Sequence, residues 1–248
     1  MLPLHSAAAR TTPDIRDLRA ALRQLPSDQR ISRLKVNGRH YWVKRQERLS
    51  LRWRLQKGNP SRAFERERQG LRQLYAMGLP VPRIIDEGPG YFVTPDAGES
   101  LEHIFRSPEF SEAERQTALN AAVRALHRLH EAGVSHGRPN LKDILWNGRN
   151  ITLIDFERFG KTRHSHTAQV LDFIIFAFSC FAIANHSLPQ IDQALHLYRM
   201  LDMRGVFISA IRWLNCLRWL DPLARRLQGI RHSRDIAAIP RLFNWLKR

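Results

Sequence analysis

The chain has 248 residues, with 40 Lys and Arg against 23 Asp and Glu and a formal net charge of +17. A hydrophobic content of 43% with 9% aromatics excludes a disordered basic tail and supports a core of ordinary size, without a disulfide or metal staple. The charge implies an anionic partner, whether nucleic acid, an acidic membrane face or a phosphorylated small molecule.

Cys180 and Cys216 both sit in apolar stretches, so the cysteines form no disulfide framework and point to a reducing compartment. Residues 1–25 carry Asp14, Asp17 and several arginines without a continuous apolar core, so no secretory signal is predicted there. The most apolar stretch, Val170 to Ala184, is interrupted by Asp172 and falls short of the ~20 residues that span a bilayer. It reads as a buried core helix, and the chain as soluble or peripheral.

Residues 1–12 read as a loose terminus. Ile15, Leu18, Leu22 and Leu25 have helical spacing, with Asp14 or Thr12 as the N-cap. Ile31–Val36 and His40–Lys44 alternate apolar and polar about Asn37-Gly38, the pattern of a tight antiparallel hairpin. The segment from Arg45 to Arg62 is strongly basic, with only Glu47 opposing. A helix is predicted from Pro60 to Gly78 with Phe64, Leu71, Leu74 and Tyr75 on one face. Short strands follow at Arg83–Ile85 and Tyr91–Thr94, separated by Gly88-Pro89-Gly90. The first lobe, residues 1–95, therefore reads β-β-α-β-β, and Pro95–Ser100 is a hinge.

A mainly helical second lobe, 101–248, follows. Ser111 and Glu114 form a capping-box pattern ahead of Leu119, Ala122, Val123, Leu126 and Leu129. After Gly133 come a loop, His136 to Lys142, and a second hairpin, Asp143–Trp146 and Ile151–Ile154 joined through Asn147-Gly148, leading into Asp155-Phe156-Glu157. From Ala168 onward the chain reads as helices.

This order of parts, with Leu129-His-Glu-Ala-Gly-Val-Ser-His-Gly137, Leu141-Lys-Asp-Ile-Leu145 and Leu153-Ile-Asp-Phe-Glu157, resembles the lipopolysaccharide kinase (InaA-type) family of the protein-kinase-like fold. Glu67-x3-Leu71-x2-Leu74 running into Gly78-Leu-Pro-Val-Pro82 adds to the resemblance. It implies an α+β, two-lobed fold and transfer of phosphate from ATP, with Mg2+, to a sugar hydroxyl of an anionic glycolipid or sugar phosphate. It also implies a cytoplasmic location, peripheral on the inner face of the membrane.

Carried over by position, Lys44 takes the place of the strand lysine that holds the α- and β-phosphates, with Glu67 as its partner. Asp155 takes the place of the Mg2+-binding aspartate. Asp143, twelve residues earlier, stands where a second metal ligand is expected, or is a turn-forming aspartate. Where the family's loop has a catalytic-base carboxylate, this sequence has Arg138, in His136-Gly137-Arg138. Arginine keeps its proton, so either Asp143, His136 or the substrate assists transfer, with Arg138 on phosphate or acceptor, or the protein binds nucleotide without turnover. No glycine precedes Gly38, so no Gly-rich phosphate loop is recognisable. His136 is expected to pack beneath the loop, His164 and His166 to be solvated, and Asp172 to anchor the loop backbone from its apolar helix.

Residues 204–248 mix Trp213, Trp219, Trp245 and many leucines with ten Lys and Arg against Asp221 and Asp235. A basic amphipathic segment of this kind suits an anionic membrane face. Trp213 and Leu217 are expected in the core, and the tail from Arg241 to Arg248 on lipid. No helix-turn-helix, zinc-finger or RNA-binding signature accompanies the charge, which ranks nucleic acid lower.

Overall fold

The structure is a computed structural model; it describes residues 14–26, 28–47, 60–157, 165–183, 188–228 and 233–247. The terminus 1–12, the centre of the basic segment (48–59) and His164 lie outside the described residues. The chain divides into two compact units, one of residues Met1–Ser61 and Arg83–Asp96, the other of Arg62–Pro82 and Ala97–Arg248.

In the first unit, helix α1 (Ile15–Gln24) starts at Asp14, whose carboxylate accepts the Arg16 N–H at 2.9 Å. Strands β1 (Ile31–Val36) and β2 (Arg39–Arg45) form the expected hairpin. Asn37 and Gly38 take φ of +49° and +75°, the left-handed pair that a two-residue turn matched to strand twist requires. The sheet has the order β1-β2-β4-β3, all antiparallel, with β3 at Asp86–Gly88 and β4 at Tyr91–Pro95. The predicted strand at Arg83–Ile85 is thus displaced to 86–88. The tight Pro89-Gly90 turn sets Gly88 opposite Tyr91, so the residues nearest the turn pair first.

Leu18 of α1 packs against Leu34, Val36, Tyr41, Val43 and Val93, which are the inward set of the alternating strands. The helix is also tied down by Arg19, which donates to Asp86 at 2.9 Å, while the Tyr91 hydroxyl donates to the same carboxylate at 3.2 Å. Lys44 sits half-buried near the end of β2, opposite Ile31 and Phe92.

Helix α2 runs Pro60–Ala76, and from Arg62 it is grouped with the second unit. Its buried stripe is Phe64, Glu67, Leu71 and Leu74. Tyr75, expected on that face, is 46% exposed. At 100° per residue Glu67 falls between Leu71 and Leu74, and it takes the interior place.

Beyond it come β5 (Glu99–Ser100), α3 (Leu101–Arg106) and α4 (Glu112–Glu131). The predicted capping box is present: Ser111 Oγ accepts the Glu114 N–H, and the Glu114 carboxylate accepts the Ser111 N–H at 2.8 Å. Strands β6 (Ile144–Trp146) and β7 (Ile151–Leu153) form the second hairpin, and β5 adds to it in the order β5-β6-β7.

The apolar helix is α5 (His166–Ile183), 18 residues with Phe173, Phe176, Cys180 and Phe181 buried. It is long and apolar enough to cross a membrane, but it is mostly buried inside this unit and carries Asp172. Helices α6 (Leu188–Leu201), α7 (Val206–Cys216), α8 (Leu220–Gln228) and α9 (Arg234–Trp245) complete the unit. Helix α9 packs on α5 and α8, with Leu242 and Phe243 buried. In the tail expected on lipid, Leu242 and Phe243 are thus core, Asn244 and Lys247 are exposed, and the Trp245 indole N–H donates to Asp192 at 2.7 Å. Trp213 and Leu217, expected inside, are 40% and 38% exposed. Val206, Ala210 and Leu214, at i, i+4 and i+8, seat α7 instead.

Candidate active site

The site is built within the second unit, on the loop between α4 and β6. Asp172 has no exposure, and its two oxygens accept the backbone N–H groups of His136 and, at 2.8 Å, Gly137. A buried carboxylate needs such donors, and here they fix the path of the loop. On its other side Asp172 meets His130 Nε2 at 3.4 Å, and His130 Nδ1 meets the Tyr198 hydroxyl. Gln169, one turn earlier on α5, donates to the His130 carbonyl at 2.9 Å. The expected anchoring role of Asp172 is what the structure shows.

His136 is 1% exposed and its ring lies on Phe156, centroids 4.4 Å apart. Burial pushes its imidazole pKa down, against the pull of Asp172 and Asp155, and the ring stays neutral. It packs beneath the loop, as expected.

Asn140 caps a short 3-10 turn, Leu141–Asp143. The turn delivers Asp143 to β6, and the Asp143 carbonyl accepts the Ile154 N–H at 3.0 Å. This bond ties the loop to the segment that carries Asp155. That residue has φ of +68°, a left-handed backbone rare for a residue with a side chain.

The Arg138 guanidinium lies across the two carboxylates, with Nη2 3.0 Å from Asp155 and 3.9 Å from Asp143. From the other direction, carboxylate oxygens of Asp155, Glu67 and Glu157 all lie within 4.8 Å of one another. Asp155 is therefore the shared member of a cation-facing pair and a carboxylate trio.

Three of the sequence-predicted site residues, Arg138, Asp143 and Asp155, come together in this way, and Glu67 joins through Asp155. Lys44 lies on β2, in the first unit. Sequence reasoning quoted Glu157 only as part of a motif. Its signal was its place two residues from Asp155, and what could not be read was that Glu67 on α2 approaches both. The donors are all carboxylate oxygens, the hard set that Mg2+ or Mn2+ prefers. Three clustered carboxylates repel phosphate unless a cation stands between, so the residues present fit a nucleotide-bound divalent ion.

Residues 96–197 match the lipopolysaccharide kinase (Kdo/WaaP) family, which bears out the resemblance read from the loop and hairpin motifs. A protein of Haemophilus influenzae, described as uncharacterized, is 29% identical over 149 residues, which is 60% of this chain and 62% of that protein. The chain thus matches less than two thirds of the length of that relative.

Proposed function

We propose that this chain is an ATP- and Mg2+-dependent phosphotransferase with the two-lobed, protein-kinase-like architecture. Its acceptor is a sugar hydroxyl on an anionic glycolipid of the lipopolysaccharide-core type or a related sugar phosphate. The lobes are 1–95 and 101–248, with 96–100 as the hinge. The observation that carries the reading is Asp155, which follows β7 and lies between Arg138 at 3.0 Å and the carboxylates of Glu67 and Glu157. The family match over 96–197 supports it.

When bound, the nucleotide supplies the γ-phosphoryl group, and Mg2+ neutralises charge on it. Asp155, with Asp143 or the Glu67 and Glu157 carboxylates, supplies the oxygen ligands. Lys44 is assigned to the α- and β-phosphates and Glu67 to holding that lysine, as the resemblance implies. Arg138 keeps its proton and cannot be the base; its planar fork orients phosphate or an anionic acceptor. Asp143 is the loop carboxylate that can take the acceptor's proton as the new O–P bond forms and the bond to ADP breaks. Phosphoryl transfer asks little of a base and much of positioning, so an arginine in this loop is compatible with turnover. The enzyme works on the cytoplasmic side, peripheral to the membrane that holds its acceptor.

Calorimetry with Mg-ATP, followed by a transfer assay on core glycolipids, tests the reading. Saturable nucleotide binding and transfer that Asp155→Ala abolishes are expected. Tight nucleotide binding with transfer no higher than in Asp155→Ala would instead make the protein a nucleotide-responsive binding module.

A further inference from the structure

We propose that the turn joining α7 to α8 is the face with which the helical unit docks on an anionic lipid surface. This rests on the membrane part of the function proposed above and assigns that contact to particular residues.

Asn215, Cys216, Leu217, Arg218 and Trp219 are five consecutive exposed residues, and Trp219 is 64% exposed. The turn is well formed. The Leu217 N–H donates to the Trp213 and Leu214 carbonyls, Arg218 to Asn215, Leu220 to Leu217 and Asp221 to Arg218. The chain therefore winds from one helix into the next with its backbone groups paired, and its large side chains are held outward.

Helix α8 is inverted in the same sense. Its buried residue is Ala224, while Leu223 and Leu227, one turn apart, are exposed. A helix serving only the core of a soluble protein turns its leucines in and its small residues to either side. Helix α7 buries Val206, Ala210 and Leu214 as an ordinary core stripe, yet it also leaves Ile208 and Trp213 exposed.

The charge on this face identifies the occupant. Arg212, Arg218 and Arg226 are exposed and neighbour the apolar residues in sequence, Arg212 beside Trp213, Arg218 between Leu217 and Trp219, and Arg226 beside Leu227. Between Arg204 and Arg234 the sequence has one acid, Asp221, which is bonded to Arg225 at 2.9 Å. A second copy of the chain would set arginine against arginine, on a molecule already carrying +17. Tryptophan, leucine and arginine mixed on an exposed turn and the helix that follows it is the composition that lies at the headgroup level of an anionic bilayer.

The chain supplies its own reporter. Cys180 is buried, its thiol pKa pushed up by burial, whereas Cys216 is exposed at the tip of the turn. An environment-sensitive fluorophore on Cys216 of the full chain is titrated with vesicles of phosphatidylglycerol and phosphatidylcholine, and with phosphatidylcholine alone. A blue shift and rise in emission with the anionic vesicles is expected, weakening as salt is raised. Leu217→Ser with Trp219→Ser, both at exposed positions, lowers vesicle affinity about tenfold or more. Arg218→Ala and Arg226→Ala lower it about fivefold each.

If the wild type binds anionic vesicles while the label stays in water and the serine variant binds as well as wild type, the assignment of this face is wrong and the membrane reading stands. If the wild type ignores anionic vesicles, both fall, and transfer to a soluble core sugar remains a separate question. A concentration-dependent dimer abolished by Trp219→Ser would overturn the proposal in favour of a second copy.

Discussion

Arg138 and Asp155 are ion-paired at 3.0 Å, and the same guanidinium nitrogen lies 3.9 Å from Asp143. The residue that replaces the expected base thus sits as a fixed positive charge against the carboxylates assigned to the metal. A divalent ion binding Asp155 competes with that guanidinium. Arg138 is 45% exposed, so the pair contributes about 1 kcal/mol or less. Arg138→Ala is therefore expected to tighten Mn2+ binding up to about fivefold, read by paramagnetic titration of the free protein, while slowing transfer. Weaker Mn2+ binding in the variant would show that Arg138 helps to build the cation site.

Asp172 accepts two backbone N–H groups from a fully buried position. Asp172→Ala leaves both donors unpaired, and a loss of roughly 3 kcal/mol is expected in denaturant unfolding. Tyr198→Phe removes only the hydroxyl bonded to His130 and is expected to cost about 1 kcal/mol. Equal losses in the two variants would contradict the central place given to Asp172.

His136 gives a pH dependence with a definite sign. Burial lowers its folded-state pKa below the ordinary 6.5, so the unfolded chain binds the proton more readily. The stability it contributes is complete above pH 6.5 and declines as the pH falls below that value. His136→Phe is expected to flatten this part of the stability profile between neutral and mildly acid pH. An unchanged slope would show that the slope arises elsewhere.

How much of this was legible in the sequence depended on the range of the cause. The hairpin at Asn37-Gly38 and the capping box at Ser111 and Glu114 follow from bonds a few residues apart, and both are as expected. Asp172 was legible because a carboxylate in an apolar helix demands donors. The approach of Glu67 to Asp155 and Glu157 was not, because it depends on where α2 packs, nearly ninety residues earlier in sequence. The outward turn of Trp213 and Leu217 was missed for a similar reason. Hydrophobic spacing marks an amphipathic face but does not say whether protein or another phase covers it. The strand expected at Arg83–Ile85 forms at Asp86–Gly88, because the Pro89-Gly90 turn pairs Gly88 with Tyr91 and so sets the register.

Gly98 joins β4 to β5 with φ of +98°, and a Cβ there would overlap the Trp146 backbone carbonyl. Both strain and collision oppose a side chain, so Gly98→Ala is expected to cost at least about 2 kcal/mol. Thermal unfolding reads the loss. A variant as stable as wild type would mean that the segment relaxes away from β6 without penalty.

The most direct measurement is transfer of labelled γ-phosphate from ATP to a core glycolipid by the wild type and by Asp155→Asn, both at saturating nucleotide. The wild type is expected to label the acceptor's sugar, and the variant to lose at least about a hundredfold in rate while remaining folded. Labelling that survives in Asp155→Asn, or a wild type that binds Mg-ATP and labels nothing, would contradict the assignment of Asp155 as the centre of a phosphotransfer site.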